Sequence, residues 1–394
     1  MIKYSVDLVI FGGGVAGLWA LDSVSREGYS AALIEKSSLG DGQTIRSQGI
    51  IHGGFKYVVP GKYRENSAKE VRNMPNRWLD HLHGKRNDPD LSHVTVNSDF
   101  SYFWLSKRTG IRATLESVFS PIGLSLLNSP VKDITPEAPL WFRNSADIIY
   151  RAPEPVIDTR SLLEELAKPN ASRIFYGSSF KFRREGDSIK EITLVENKTG
   201  QEYCLSPRRV VLCAGVGNQE IVNMMGYNEK IMQISPLRQV FVTGELPDLW
   251  GHCIDGGKAM ATVTTHYDRD PRKKVWSIGG EIAEDGHKEN PKLLITKTHS
   301  FLEEALSVVD FSKTEWSTFD ALRAEEPNNN LLPSGVSVRN IGNVSVCFPT
   351  KMALAPVLAD TIIKRLASEK LEKCPDRIYR QGKVLVAPYP WQTQ

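Results

Sequence analysis

The chain has 394 residues, of which 41% are hydrophobic and 24% charged, with a formal net charge of +3 at pH 7. That length exceeds a single compact core, so two domains or one elaborated domain are expected, and the balanced composition excludes disordered and fibrous classes. So small a positive charge gives no electrostatic footprint for nucleic acid. Five scattered cysteines, Cys204, Cys213, Cys253, Cys347 and Cys374, form no CxxC pair. Neither a disulfide framework nor a zinc site is indicated, no metal is expected, and a reducing compartment fits best. The opening MIKYSVDLVIFGGG has no cationic leader, and no apolar run is long enough to span a bilayer. The expectation is a cytoplasmic protein without a transmembrane segment, loose attachment to a membrane surface staying open.

In chain order, VDLVIF at 6–11 is a near-continuous apolar run of the kind a central parallel strand needs when both faces are covered. It leads into GGGVAG, where Gly12, Gly14 and Gly17 have the GxGxxG spacing. Such glycines allow a tight turn and close approach of a pyrophosphate to the N–H groups that open the next helix. Gly28 and a second apolar run, AALIE, follow, ending in Glu35, whose carboxylate can accept hydrogen bonds from a ribose diol. Strand, glycine turn, helix and acidic residue together predict a dinucleotide site, without deciding between FAD and NAD.

EKSSLGDGQTIRSQGIIHGG then intervenes where a simple NAD dehydrogenase would continue into another helix and strand. A second polar, glycine-bearing loop suits an extended cofactor such as FAD, whose reactive ring lies far from the adenine. Further on, SDFSYFWLS, QVFVTGEL, MATVTTHY and KVWSIGGEI are rich in β-branched and aromatic residues suited to an antiparallel sheet. No internal repeat, low-complexity linker or second GxGxxG unit is present.

RSQGIIHGGFKY, 46–57, resembles the Arg-Ser-Ser-Lys-Leu-Ile-His-Gly-Gly element of glycerol-phosphate dehydrogenases and the Asn-Ser-Gly-Val-Ile-His element of 2-hydroxyglutarate dehydrogenases. The chain thus resembles the FAD-dependent oxidoreductases of the D-amino-acid oxidase, glycine oxidase and glycerol-3-phosphate dehydrogenase superfamily. Four later segments extend the resemblance in the family's order. VIDTRSLLEEL resembles the helix entering the nucleotide domain, and Asp158 is by itself a sound N-cap. FYGSSFKFRR resembles the strand that touches adenine through its backbone near Phe180, and RRVVLCAGVGN the strand and Ala-Gly turn closing the FAD domain. DALRAEEP and VSVCFPTKMALAPVLADTIIKRL fall where the family places a substrate-facing Arg and its last flavin-contacting loop. The chain departs from the family there, with Pro349, Thr350 and Lys351 in place of a frequent Gly-His-Gly.

The resemblance implies an α/β fold, α+β overall, in which a Rossmann-like FAD-binding domain (1–90, 151–235 and 320–394) is joined to a discontinuous antiparallel-sheet substrate domain (91–150 and 236–319). It further implies FAD held by Gly12, Gly14, Val15, Ala16 and Gly17, by Glu35 and Lys36, and by Thr44, Arg46, Ser47, Gln48 and Gly49. Phe180, Ala214, Gly215, Pro349, Thr350, Lys351 and Met352 complete the set.

For catalysis, the candidates are His52, Arg323 and Lys351. Lys351 precedes a final helix whose amino-terminal dipole adds positive charge near the flavin's pyrimidine end. Arg323 has the planar fork that grips a carboxylate or phosphate, against the alternative of a salt bridge to Glu325 or Glu326. His52 can act as a base, bond a substrate oxygen, attach to FAD or be a buried structural histidine. Arg238 is read as a structural pair and Cys347 as an inert core thiol.

The expected activity is FAD-dependent oxidation of a small anionic substrate, an α-hydroxy acid, α-amino acid or polyol phosphate, at a CH–OH or CH–NH centre by hydride transfer to flavin N5. Electrons would pass to O2, a quinone or another carrier. The alternatives are a flavin-binding protein without turnover and an NAD-dependent dehydrogenase.

Overall fold

The computed structural model describes residues 1–54, 71–106, 131–255, 258–267, 272–327, 335–371, 373–374, 378 and 380–393. Residues 55–57 of RSQGIIHGGFKY lie outside them.

The first apolar run becomes the strand Ile2–Phe11, parallel to Ala31–Glu35 on one side and to Glu202–Leu212 on the other. Successive side chains of a strand point to opposite faces. Leu8 and Ile10 join the core formed with the helices Val15–Arg26, Thr159–Ala167 and Ala355–Ser368. Val9 and Phe11 join the opposite core with Ile189, Ile192, Leu194 and Val222. Covering on both faces is what makes the run continuous rather than alternating. Each buried aliphatic side chain contributes about 1.5–3 kcal/mol relative to exposure. Ile174–Tyr176 extends the sheet in parallel beyond Ala31–Glu35, and Val344–Phe348 extends it beyond Glu202–Leu212, with antiparallel Ser337–Ile341 at the edge. A hairpin of Ser179–Glu185 and Ser188–Val195 branches from Glu202–Leu212.

One polar residue interrupts the central strand. Asp7 is fully buried, and its carboxylate accepts hydrogen bonds from Ser30 N (2.8 Å) and Cys374 N (2.9 Å), so it fixes the turn into the second strand and clips a carboxyl-terminal segment. Asp158 caps its helix as expected, accepting from Ser161 N at 2.7 Å.

The second sheet runs in the order Glu315–Glu325, Gln233–Gly244, Lys274–Gly279, Lys258–Tyr267, Trp250–Asp255, Ser101–Ser106, Ala146–Ala152, Lys132–Asp133. Its pairs are antiparallel except for Trp250–Asp255 on Ser101–Ser106. The helix Pro291–Ala305 covers one face through Leu294 and Leu302 against Trp276 and Ile278. KVWSIGGEI is shorter as a strand than its composition suggests. At Gly280 (φ +89°) the chain turns so close to the carbonyls of Ala259 and Met260 that a Cβ would lie 2.7 and 2.8 Å from them, and Glu281–Gly286 is helical. SDFSYFWLS and FYGSSFKFRR each divide into two strands. Gln233–Gly244 pairs with Glu315–Glu325 along nearly its whole length, so Arg323 belongs to the second sheet, opposite Ser235.

The carboxyl-terminal segment ties the two sheets together. Val386 pairs with Leu39 beside the first sheet. Tyr389 donates to Asp158 Oδ2 (2.8 Å) and stacks on Trp391, with ring centroids 4.6 Å apart. Trp391 lies 4.7 Å from His266 on the second sheet. Burial drives the His266 imidazole down to about pKa 4. In the unfolded chain it takes a proton near pH 6.5. Between these values the unfolded state binds more protons, so stability falls as pH drops from about 6.5 to 4, by on the order of 3 kcal/mol. His266→Phe is expected to show a smaller drop in thermal midpoint between pH 7.5 and 5.0 than the wild type; an equal drop would assign the acid sensitivity elsewhere. No helix among the described residues is long and apolar enough to cross a membrane.

Candidate active site

The glycine turn stands at the carboxyl end of the central strand, where a parallel sheet presents its ligand crevice. Gly12 has φ +99°, and a Cβ there would lie 2.5 Å from the Cys213 carbonyl oxygen and 2.6 Å from Ala214 Cα. The turns that leave the paired strands Ile2–Phe11 and Glu202–Leu212 therefore meet at backbone distance. The helix Val15–Arg26 begins at Gly14, which supplies no side-chain cap to the N–H groups of the first turn. Thr44 Oγ1 accepts from Val15 N (3.2 Å), binding the second loop to the helix start, and Ala16 and Gly17 follow within the first turn.

Glu35 ends the second strand. Its carboxylate accepts from Gly13 N (2.7 Å) and Ser37 N (3.0 Å), and burial still pushes its pKa above the ordinary glutamate range. These amides orient the group and leave lone pairs for a ribose diol. The Lys36 carbonyl accepts from Asn197. Phe180 packs edge-on against Phe11, 5.4 Å between centroids, and its backbone lies opposite Leu194. Ala214 N donates to Asn218 Oδ1 (2.8 Å), and Gly215 turns the chain at φ +57°.

The second loop links the two sheets. Ser47 donates to the Thr44 carbonyl (2.8 Å) and to Met352 Sδ (3.6 Å), so it touches the last loop. Arg46 bonds Asp41 and the Gly42 carbonyl, while its own carbonyl accepts from Gln239. The Gln48 side-chain nitrogen donates to the carbonyls of Thr262 (2.7 Å) and Ser277 (3.1 Å), so it is engaged with the second sheet. Gly49 (φ +72°) lies against Ile157, where a Cβ would be 2.2 Å from the Ile157 oxygen; its small size serves chain packing.

The last loop is strained. Thr350 has φ +59°, a costly conformation for a β-branched residue, of order 1–3 kcal/mol. Its hydroxyl oxygen is buried with no hydrogen-bond partner among the described residues. Lys351 N donates back to the Pro349 carbonyl (2.7 Å), and Met352 opens the turn into Ala355–Ser368. A strained loop with an orphaned buried donor, tied through Ser47 to the second loop, fits a cofactor edge better than it fits a purely structural turn.

Two of the three candidate catalytic residues, Arg323 and His52, sit in separate contacts. Arg323 donates to Glu284 Oε1 (3.2 Å) and stands 3.7 Å from Glu325, with the guanidinium about a quarter exposed at 26%. The salt bridge to Glu325 was foreseeable, whereas Glu326 instead accepts from Ser337. His52 stands 3.7 Å from Glu154 and its ring lies 5.5 Å from that of His252. Arg238 pairs with Asp320 (2.6 Å) and caps the Glu289 carbonyl, a structural role. Cys347 is buried, and hydrogen bonding with Cys213 together with burial pushes its thiol up.

Sequence reading missed Glu154, His252, Glu284 and Gln43. Glu154 lies between prolines and Glu284 in a short helix, and neither carries a spacing signal. Gln43 Oε1 accepts from Ala324 N (3.2 Å), joining the second loop to the Arg323 strand.

The chain matches the family model DAO, FAD dependent oxidoreductase, over residues 7–341. It is 34% identical over 369 residues to the probable FAD-dependent oxidoreductase PA4991 of Pseudomonas aeruginosa, covering 93% of this chain and 92% of that one. The crystal structure of PA4991 superposes with TM-score 0.82 over 100% of this chain and 99% of the other. Glycine oxidase from Geobacillus kaustophilus (TM-score 0.62, 14% identity, covering 96% and 99%) shares the fold. So does L-proline dehydrogenase from P. horikoshii (TM-score 0.65, 16% identity, covering 95% and 96%). The family match over residues 7–341 and the 34% identity across nine-tenths of both chains make the chain a member of the DAO family of FAD-dependent oxidoreductases.

Proposed function

We propose that this FAD-dependent oxidoreductase oxidises a small amino or imino acid at its CH–NH centre. The observation that carries the reading is the charge arrangement at Arg323, one guanidinium held between the carboxylates of Glu284 and Glu325. An α-hydroxy acid or polyol phosphate would compete with Glu284, only 16% exposed, for the guanidinium and bring no cation of its own. A zwitterion satisfies both halves: its carboxylate takes the planar fork of Arg323 and its ammonium takes Glu284. The reading is in keeping with glycine oxidase and L-proline dehydrogenase, which share the fold.

FAD, when bound, supplies the two-electron acceptor that takes hydride from the substrate carbon at N5. On this reading the Gly12–Gly17 turn and the helix start hold the pyrophosphate, and Glu35 holds the ribose. The backbone near Lys36, Phe180, Ala214 and Gly215 lines the adenosine end. Thr44, Arg46, Ser47 and the Gln48–Gly49 backbone follow the cofactor towards the Pro349–Met352 loop, where the Thr350 hydroxyl and Lys351 face the pyrimidine edge. Arg323 orients the substrate and Glu284 Oε1 accepts the nitrogen proton. Electrons leave to O2, a quinone or another carrier. All five cysteines are free thiols, in keeping with a reducing, cytoplasmic setting.

The test is anaerobic bleaching of the flavin by matched sets of amino acids, imino acids, 2-hydroxy acids and polyol phosphates. Bleaching confined to the nitrogen-bearing sets is expected. Bleaching by hydroxy acids alone would reverse the substrate class, and none at all would favour a flavin-binding protein without turnover.

A further inference from the structure

His52, Glu154 and His252 come from three distant stretches of chain, yet one ligand atom from each lies within 4.8 Å of the other two. Glu154 and His252 are fully buried, whereas His52 is 20% exposed and gives the cluster an open side. We propose that these residues bind a divalent transition-metal ion, Zn2+ in the first instance, through two imidazoles and one carboxylate. The proposal does not depend on the amino-acid reading.

Distance is the first argument. The 3.7 Å between His52 Nδ1 and Glu154 Oε2 is too long for a hydrogen bond. It is close to the separation of about 3.4 Å expected for two ligands at tetrahedral positions with bonds of about 2.0–2.2 Å. All three ligand atoms lie within 4.8 Å of one another, so the widest pair closes by at most about 1.4 Å on binding, and His52 lies at the exposed side, next to Gly53.

Orientation is the second. A metal-binding histidine is normally fixed through its other ring nitrogen. His252 Nδ1 is 2.8 Å from the Thr262 hydroxyl, a contact that fixes the orientation of the ring. Glu154 Oε1 accepts from Gly53 N (2.5 Å) and Oε2 from the Ser101 hydroxyl (3.1 Å), so the carboxylate is held before any ion arrives.

Charge is the third. Among the described residues no lysine or arginine forms an ion pair with the Glu154 carboxylate; its one ion-pair partner is His52. A buried carboxylate requires compensation, and a divalent ion shared with two neutral imidazoles provides it. Two nitrogens and one oxygen with an open position suit Zn2+ or its neighbours rather than Mg2+ or Ca2+. The ion would join the second loop, the Ala146–Ala152 to Val156–Ile157 connection, and the Trp250–Asp255 strand. A metal-bound His52 could not serve as a proton acceptor, which separates this site from the Arg323 chemistry.

The experiment uses the untagged, flavin-loaded full chain. Metal content is measured by mass spectrometry before and after chelation, followed by titration with Zn2+ and, for its visible bands, Co2+. About one Zn2+ per chain, bands of four- or five-coordinate Co2+, and a raised thermal midpoint with Zn2+ are expected. Thr262→Val, which keeps the buried shape, should weaken Zn2+ binding about tenfold or more, and Glu154→Gln should abolish the Co2+ bands with flavin content retained. Wild-type protein that binds neither ion at stoichiometric level would overturn the proposal, whether or not a variant folds. Undiminished Zn2+ binding in a folded Glu154→Gln protein would overturn it equally.

Discussion

Replacing Arg323 with Met is expected to raise the KM for the amino-acid substrate about 30-fold or more while leaving flavin content unchanged. The estimate follows from losing one partner of a largely desolvated, hydrogen-bonded charge pair, about 2–5 kcal/mol, at 1.4 kcal/mol per tenfold. Met keeps the length and apolar stem, so the strand Glu315–Glu325 and its pairing with Gln233–Gly244 should persist. The same change leaves Glu284 and Glu325 without their shared cation, so some loss of thermal stability should accompany it. Flavin content is the control, because Arg323 is on the second sheet and contacts Glu284 rather than the glycine cradle. An unchanged KM would show that the guanidinium serves only its two carboxylates and would remove the support for a zwitterionic substrate. Glu284→Gln refines the result: it should weaken amino acids while leaving simple carboxylate inhibitors bound as well or better.

Gly12→Ala should reduce retained FAD at least tenfold. Two independent obstacles act at that position. Its φ of +99° is one that side-chain-bearing residues rarely adopt, and the new methyl would meet the Cys213 carbonyl at 2.5 Å. The obstructing atom is backbone in the neighbouring strand, so relief must come from moving the turn itself, and with it the N–H groups that open the helix Val15–Arg26. Far-UV circular dichroism should stay near wild type, since both cores lie beneath the turn rather than within it. Full flavin occupancy in the variant would mean that the pyrophosphate is held elsewhere.

Local features were legible wherever one physical rule acted on neighbouring residues. VDLVIF read as a doubly covered strand because both its alternating faces are apolar, and the faces divide between two cores as that pattern requires. Asp158 read as an N-cap from residue type and position, and its side chain accepts from Ser161 N. Where the reading overran, a glycine was responsible: KVWSIGGEI has strand composition throughout, but the backbone turns at Gly280, where the carbonyls of Ala259 and Met260 approach. The resemblance places Gln48 along the cofactor; nothing local to it records that its amide nitrogen donates to two carbonyls more than two hundred residues away in sequence.

By itself, then, the sequence determined the glycine turn and its doubly covered strand, because turn geometry and strand burial depend on residues within a few positions of one another, while the family and hence FAD came from the resemblance of several motifs in the same order along the chain. Only the tertiary structure decided the company each charged side chain keeps. Arg323 next to Glu284, and His52 next to Glu154 and His252, are meetings of segments separated by 39, 102 and 200 positions. Charge pairing and metal ligation act through space over a few ångströms, and no periodicity along the chain records them.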